Sequence, residues 1–428
     1  MKVAIVSLGC PKNEVDSELI LGRLLNDGFE YSSNLEGVDL VVLNTCAFID
    51  SAIEESLSWV KRLIKLKEDG VIKRIALVGC LPQRLGRKFL ERLEDVDYFA
   101  GTGYPNDVGA FLANALKKGL RRGVLFRPFS DKWVEDGTRF PIKRGFHAYI
   151  KIAEGCNNRC SYCVIPYIRG PYRSKPLDDV LREAEDFIRS GKKEVILVSQ
   201  DSTLYSFSLS LLLKKLEEIK GDFWIRVLYL HPARVTNDLI ETILSLEKVC
   251  SYFDLPIQHA DDTVLRLMNR PYGEKELRAL FGRIRGLDEL ACLRTTVMVG
   301  FPGEGKPSFD RLLNFVSDIK FDRLGSFLYS PQVEAPSYFL KPPPLRVSKR
   351  RIDKLMKLQA EISEERNNLF IGKVLRVLVE RPGIARSYRD TPEIDGLVYL
   401  DENVSPGTFV KVKITKAREY DLWGEVLH

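Results

Sequence analysis

The sequence predicts a multidomain α/β protein: an N-terminal α/β domain built on a parallel sheet, a central partial (β/α)6 barrel, and a small antiparallel β-barrel at the C-terminus. Three observations carry this expectation. Strand-length apolar runs alternate with helical periodicities through the first 330 residues. Three consecutive prolines, Pro342 to Pro344, then interrupt the pattern. Beyond Gly372 only short β runs remain, separated by proline and glycine turns. At roughly 150 residues per domain, the 428 residues suggest two to four domains.

The elements follow in order. Residues 2–8, 38–44 and 74–79 are continuous apolar runs, with helical periodicity at 14–26 and 51–67 between them. Such runs mark parallel strands covered on both faces. A second series begins near Arg144, with strand signals at 148–153, 194–199, 224–229, 252–255, 295–299 and 325–329. Helical stretches at 177–190, 209–219, 237–246, 263–286 and 307–319 separate them, and Pro271 threatens the fourth. Six βα units make a parallel barrel that stops short of closure and leaves a lateral mouth. A charged helix is expected over 346–370, then β runs at 374–379, 396–400, 409–414 and 423–427. The expected division is 1–130, 140–345, a linking helix 346–370, and 371–428.

With 45% hydrophobic and 29% charged residues, the chain is not expected to be mainly disordered. No apolar run approaches the roughly 20 residues of a membrane span, and the N-terminus reads as a strand rather than a signal peptide. A cytoplasmic protein without membrane partners is expected. The net charge of +6, spread over this length, is too dilute to imply nucleic-acid binding.

Eight cysteines in a reducing compartment point to metal ligation or catalysis rather than a disulfide framework. Cys10, Cys46 and Cys80 each follow one of the first three strands. The carboxyl ends of parallel strands share one edge, so these three can converge. Cys156, Cys160 and Cys163 form a C-x3-C-x2-C motif after the first barrel strand. Three thiolates this close can hold three corners of a four-iron cluster and leave one iron open. A structural zinc site would more often use two C-x2-C pairs or Cys with His, and no second pair exists here. Cys250 and Cys292 read as small buried hydrophobes.

The C-x3-C-x2-C motif on a partial barrel resembles the radical S-adenosylmethionine (SAM) enzymes. That resemblance implies that SAM chelates the open iron and that the reduced cluster cleaves it to a 5′-deoxyadenosyl radical. It places Tyr162 over the adenine, and Ser199, Gln200 and Asp201 near the methionyl and ribose groups. Ser7-Leu-Gly-Cys10-Pro-Lys-Asn13, Asn44-Thr-Cys46-Ala-Phe-Ile49 and Gly79-Cys80-Leu-Pro-Gln83 further resemble the methylthiotransferases. This implies a second [4Fe–4S] cluster on Cys10, Cys46 and Cys80, and a terminal TRAM domain. One SAM would donate the methyl group and another would yield the radical.

The segments Gly9–Asn13, Phe48–Ala52 and Tyr149–Cys156 resemble the branch that modifies an aspartate of small-subunit ribosomal protein twelve, free or in the 30S subunit. An external electron donor and a sulfur donor are implied, and no side chain is expected as acid or base. From Gly372 onward nine Lys/Arg meet nine Asp/Glu, and a neutral barrel suits a basic protein better than RNA. The tRNA-adenosine branch is the alternative, although tRNA is not the expected substrate. A non-catalytic iron–sulfur protein that binds ribosomes or RNA is the other. Three departures stand out: residues 202–208 lack the usual glycine, Gly305 replaces a usual threonine, and 330–336 lacks a Glu-Gly-Thr.

Overall fold

The computed structural model describes residues 1–134 and 137–428, with the backbone alone for 87 and 88. Two compact units result. One comprises Met1–Arg144, Ala153–Arg159 and Cys163–Lys175; the other comprises Gly145–Ile152, Cys160–Tyr162 and Pro176–His428.

In the first unit the chain lays down β1 (Lys2–Ser7), α1 (Pro11–Asn26), β2 (Glu30–Tyr31), β3 (Leu40–Thr45) and α2 (Asp50–Glu68). There follow β4 (Ile75–Gly79), α3 (Cys80–Leu90), β5 (Tyr98–Ala100), α4 (Pro105–Lys117) and β6 (Gly123–Leu125). The strands form one parallel sheet in the order β2-β1-β3-β4-β5-β6. Every residue of β3 and β4 is buried, as strands covered on both faces require. β2, β5 and β6 escape a periodicity reading because two or three residues carry no measurable period.

β7 (His147–Lys151) belongs to the second unit. The chain then contributes β8 (Ala153–Glu154), α5 (Ile165–Arg169) and β9 (Arg173–Ser174) to the first, with β8 and β9 antiparallel. Second-unit elements resume with α6 (Leu177–Arg189), β10 (Glu194–Val198), α7 (Leu209–Glu217), β11 (Trp224–Val227) and α8 (Asn237–Ser245). Next come β12 (Tyr252–Asp254), α9 (Asp262–Leu267), α10 (Glu274–Leu287), β13 (Cys292–Val299), α11 (Lys306–Ile319) and β14 (Arg323–Leu328). These six strands pair in parallel as β11-β10-β7 and β12-β13-β14, which is the expected open barrel. The helical stretch expected over 263–286 is broken at Pro271, the residue that threatened it, into two helices: Asn269 turns left-handed (φ 58°) ahead of the proline.

α12 (Leu345–Asn368) leads to β15 (Val374–Arg381), β16 (Ile384–Ser387), β17 (Val398–Leu400), β18 (Phe409–Ala417) and β19 (Leu422–Leu427). They close into a barrel in the order β15-β16-β17-β19-β18. In β18, Val412 and Ile414 face the interior while Lys411 and Lys413 face solvent, the period-2 signature of a one-sided strand.

Within the second unit buried charge fastens the terminal barrel to its neighbours. Glu194 on β10, fully buried, accepts from Arg226 Nε (2.7 Å) and Arg386 Nη2 (2.6 Å). Burial opposes its ionisation, but the two guanidinium groups prevail and its pKa falls to about 2. Asp322, also fully buried, gathers Arg285, Arg366 and Arg389.

His147, opposite Glu194 in the sheet, shows the cost of burial without a partner: its Nδ1 has no hydrogen bond. Burial pushes its pKa down to about 4; Glu194 and Glu393 pull it up, while Arg386 and Lys192 push it further down. The ordinary value is about 6.5. Below that pH the unfolded chain takes up a proton that the folded one refuses, so stability present above it is lost as pH falls toward 4. The slope is at most about 1.4 kcal/mol per pH unit for this one proton. Urea midpoints measured across this interval should fall, and His147→Phe should flatten the decline.

Candidate metal centres

β1, β3 and β4 are neighbours in one parallel sheet, so the loops beyond their carboxyl ends lie side by side. Cys10 follows Gly9 directly before α1, Cys46 follows β3, and Cys80 opens α3. Gly9 has φ +87°, and a Cβ there would stand 2.7 Å from Cys46 Cβ and 3.1 Å from its sulfur. The first cysteine loop therefore rests on the second. Gly79 has φ +92°, and its Cβ would stand 2.2 Å from Asn44 Oδ1. Glycine is required at both positions by conformation and by space.

One buried side chain ties the three loops together. Asn13 Nδ2 donates to Leu8 O (2.8 Å) and Thr45 O (3.0 Å), just upstream of Cys10 and Cys46. Asn13 Oδ1 lies 3.9 Å from Cys80 Sγ and also accepts from Arg169 Nη2. Asn44 Nδ2 returns the link by donating to Asn13 O (2.9 Å).

The thiols sense one another. Burial pushes Cys80 up to about 12, with Cys46 and Cys10 adding to the rise and Arg169 opposing it. Burial, then Cys10, raises Cys46 as well. The loops that carry the three strand-end cysteines thus meet at Asn13.

Arg169 ends α5, six residues after Cys163, and is fully buried. Its Nη2 lies 3.4 Å from Cys80 Sγ, while Nη1 reaches Asp16 Oδ2 (2.5 Å) and Glu154 Oε2 (3.2 Å). Among the described residues no three His, Cys, Asp or Glu side chains stand close enough to hold a single metal ion. A cubane asks for something different, because each thiolate binds a different iron. An all-sulfur donor set, carried on loops bracketed by one asparagine and touched by a guanidinium, fits such a cluster better than zinc.

The second motif is described cysteine by cysteine. Cys156 is buried, and its N–H donates to Gly170 O (3.1 Å). Gly155 before it has φ +78°, with Pro171 O 2.1 Å from where a Cβ would sit. Cys163, half-buried, accepts from Ile165 N at 3.4 Å. Cys160, half-buried, accepts from Arg270 Nη1 at 3.4 Å.

Within the second unit, the neighbouring Ser161 donates from N to Met268 O (3.0 Å) and from Oγ to Leu267 O (2.7 Å). Tyr162 stands edge-on to Phe301 (6.3 Å), and Phe301 edge-on to Tyr329 (5.2 Å), forming an aromatic wall with Met268 and Met298. Ser199 and Asp201 are buried beyond β10, where Asp201 caps a short turn through Thr203 N (3.2 Å) and accepts from Arg234 (2.8 Å). Gln200 lies between them, half-buried. Cys250 and Cys292 are fully enclosed.

Sequence reading passed over Asn13 and Asn44 although both lie inside the quoted motifs. It also passed over Arg169 and Arg270, whose partners lie 89 and 110 residues away. An arginine far from a cysteine leaves no local signal.

Three family models match: the Radical SAM superfamily over residues 150–316, the Uncharacterized protein family UPF0004 over 2–101, and the TRAM domain over 371–427. The ribosomal protein uS12 methylthiotransferase RimO of Geobacter sulfurreducens is 41% identical, covering 100% of this chain and 98% of its own. Those of Clostridioides difficile (39%, covering 100% and 99%) and Thermotoga maritima (38%, covering 100% of both) are similar end to end.

The chain belongs to the RimO methylthiotransferase family.

As a radical SAM family, RimO proteins use a [4Fe–4S] cluster and SAM. Among solved structures, the radical SAM methyltransferase TsrM of Kitasatospora setae, with tryptophan substrate and a SAM analogue bound, superposes with a TM-score of 0.59. It is 14% identical and covers 94% of this chain and 80% of that one, a likeness of fold alone. The RimO relatives match from end to end, so all three parts of the chain, including the neutral terminal barrel, belong to the family's common plan.

Proposed function

We propose that this chain attaches a methylthio group to the β-carbon of an aspartate in ribosomal protein uS12. In this reading Cys156, Cys160 and Cys163 hold the SAM-binding cluster, and Cys10, Cys46 and Cys80 hold a second [4Fe–4S] cluster that handles sulfur. The proposed modules are 1–130, 140–345, 346–370 and 371–428. The observation that carries the proposal is the meeting of the three cysteine-bearing loops at Asn13. A second all-sulfur donor set has no use in an enzyme that only generates a radical.

An aspartate β C–H lacks the acidity for removal by a side-chain base at neutral pH. When bound, the cluster and SAM supply a carbon radical able to take that hydrogen. The chain's own residues bind, orient and exclude water. Asn13 and Asn44 fix the three N-terminal loops, and Arg169 donates toward Cys80. The Tyr162–Phe301–Tyr329 wall offers an apolar surface beside the second motif, where Tyr162 would stack on the adenine. Ser199, Gln200 and Asp201 would bind the remainder of SAM.

The terminal barrel supports a protein substrate. Of its balanced charges, Arg386, Arg389 and Asp390 are buried and Asp395 nearly so. What remains outside is still neutral, without the basic excess an RNA grip needs. An external one-electron donor and a sulfur donor complete the reaction. No described helix is long and apolar enough to cross a membrane, in keeping with action in the cytoplasm.

The test is anaerobic incubation of the reconstituted enzyme, SAM and a reductant with uS12, 30S subunits or tRNA. A mass gain of one methylthio group on an aspartate of uS12, free or in the subunit, is expected. Modification of tRNA alone would sink the assignment. A loaded, reduced protein that never cleaves SAM would mark a binding module instead.

A further inference from the structure

Two guanidinium groups point at cysteine sulfurs, each at 3.4 Å, but they differ in what else they touch. Arg169, at Cys80, is ion-paired to Asp16 and Glu154, so its positive charge is offset. Arg270, at Cys160, forms no ion pair with a carboxylate among the described residues. Its other donors go to neutral groups: Nε to Tyr272 Oη (2.6 Å) and Nη2 to Pro256 O (2.8 Å). The guanidinium lies 5.2 Å from the Tyr272 ring centroid, and Tyr272 Oη donates to Ile257 O (3.1 Å).

Its placement is rigid. α9 ends in a left-handed Asn269, and Arg270 N returns to Leu265 O (2.9 Å), the six-to-one bond that closes a helix C-terminus. The side chain that follows is thus aimed by a helix cap and held by three hydrogen bonds. An arginine remains protonated at any working pH.

We propose that Arg270 is a positioning and tuning residue for the radical-generating cluster: it clamps the Cys160 sulfur against the turn beyond β12, and its uncompensated charge makes the bound cluster easier to reduce. The inference rests on the reading that Cys156, Cys160 and Cys163 hold that cluster. The step it governs is a one-electron transfer. A low-potential one-electron donor, dithionite in the assay, is oxidised as the cluster passes from the 2+ to the 1+ state, and no bond forms or breaks. A hydrogen bond to a ligating sulfur, and a positive charge close by, both favour the more negative state.

The experiment uses the full-length Cys10/Cys46/Cys80→Ala protein, in which one cluster should remain, with Arg270 intact or changed to Lys, Gln or Leu. Iron analysis should give about four irons per chain. In an EPR-monitored redox titration the midpoint should move negative for Arg270→Gln and furthest for Arg270→Leu, with Arg270→Lys in between. At a fixed poise the Leu variant's reduced-to-oxidised ratio should fall about tenfold, equivalent to about 59 mV for one electron. 5′-Deoxyadenosine formation should slow with dithionite and recover with a stronger reductant.

Full loading with an unmoved midpoint in Gln and Leu would overturn the proposal. So would loss of iron from Gln and Leu while Arg270→Lys loads fully at the original potential, since Arg270 would then only prop the loop. If the Arg270-intact protein binds no iron, the cluster reading itself fails, and the tuning role with it.

Discussion

Asn13→Ala should empty the N-terminal site of iron while the other site stays loaded, so that iron per chain falls from about eight to about four. The residue is wholly buried and its carboxamide works in two directions. Its amide holds the carbonyls of Leu8 and Thr45, and its oxygen faces Arg169 and Cys80. Alanine strands two buried carbonyls, each costing about 1–3 kcal/mol when unsatisfied, and leaves Arg169 Nη2 only its contact with Cys80 Sγ. The fold can recover that cost only by letting the loops part, and then the three thiols no longer surround one cube. Asn13→Asp separates the two roles, because it keeps the acceptor toward Arg169 and loses both donated bonds. It should lose iron as well. Retention of about eight irons by both variants would show that the loops hold their places without the bracket.

Asp322→Ala should cost about 3–5 kcal/mol of unfolding free energy, because it leaves three arginines facing one another in a buried space. The carboxylate lies just ahead of β14. It is reached by Arg285 from α10, Arg366 from α12 and Arg389 from the turn after β16, and its Oδ2 also accepts from Leu293 N (2.9 Å). Burial alone would neutralise it, yet the three guanidinium groups hold its pKa well below the ordinary carboxylate range. Its contribution is therefore complete above that range and is lost only in strong acid. Asp322→Asn, with the same shape and no charge, should cost less than alanine but more than a surface change. Urea unfolding of the full chain reports both, and a loss under about 1 kcal/mol for alanine would place the strength of this joint elsewhere.

The two variants also mark where sequence reading succeeds and where it stops. The three longest N-terminal strands with their first two helices, the alternation of the open barrel and four of the five terminal-barrel strands were legible because each rests on local periodicity, whereas α3, α4, α5 and β16 were not read. The span from 263 to 286 breaks at Pro271, as the proline warned, and the structure adds the left-handed Asn269 that makes the turn ahead of it. The three shortest strands of the N-terminal sheet were invisible for want of length. The cysteine motifs were legible because thiol spacing survives without coordinates. Asn13 was printed inside a motif yet gave no sign of its work, since its partners at Leu8, Thr45 and Arg169 are set by sheet order and by a segment over 150 residues away.

By itself the sequence determined the fold class, the spacing of the cysteines, the likeness to methylthiotransferases and the charge balance of the terminal barrel. Each depends on residue type and on short-range spacing, which a linear string preserves. Only the tertiary structure decided which polar side chains brace the cysteines: Asn13 across three loops, Arg169 at Cys80, Arg270 at Cys160. It also decided that Arg386 and Arg389 of the terminal barrel are spent on the buried carboxylates Glu194 and Asp322. A buried hydrogen bond or ion pair is a meeting of groups brought together by packing, and its partners carry no mark of one another until the chain has folded.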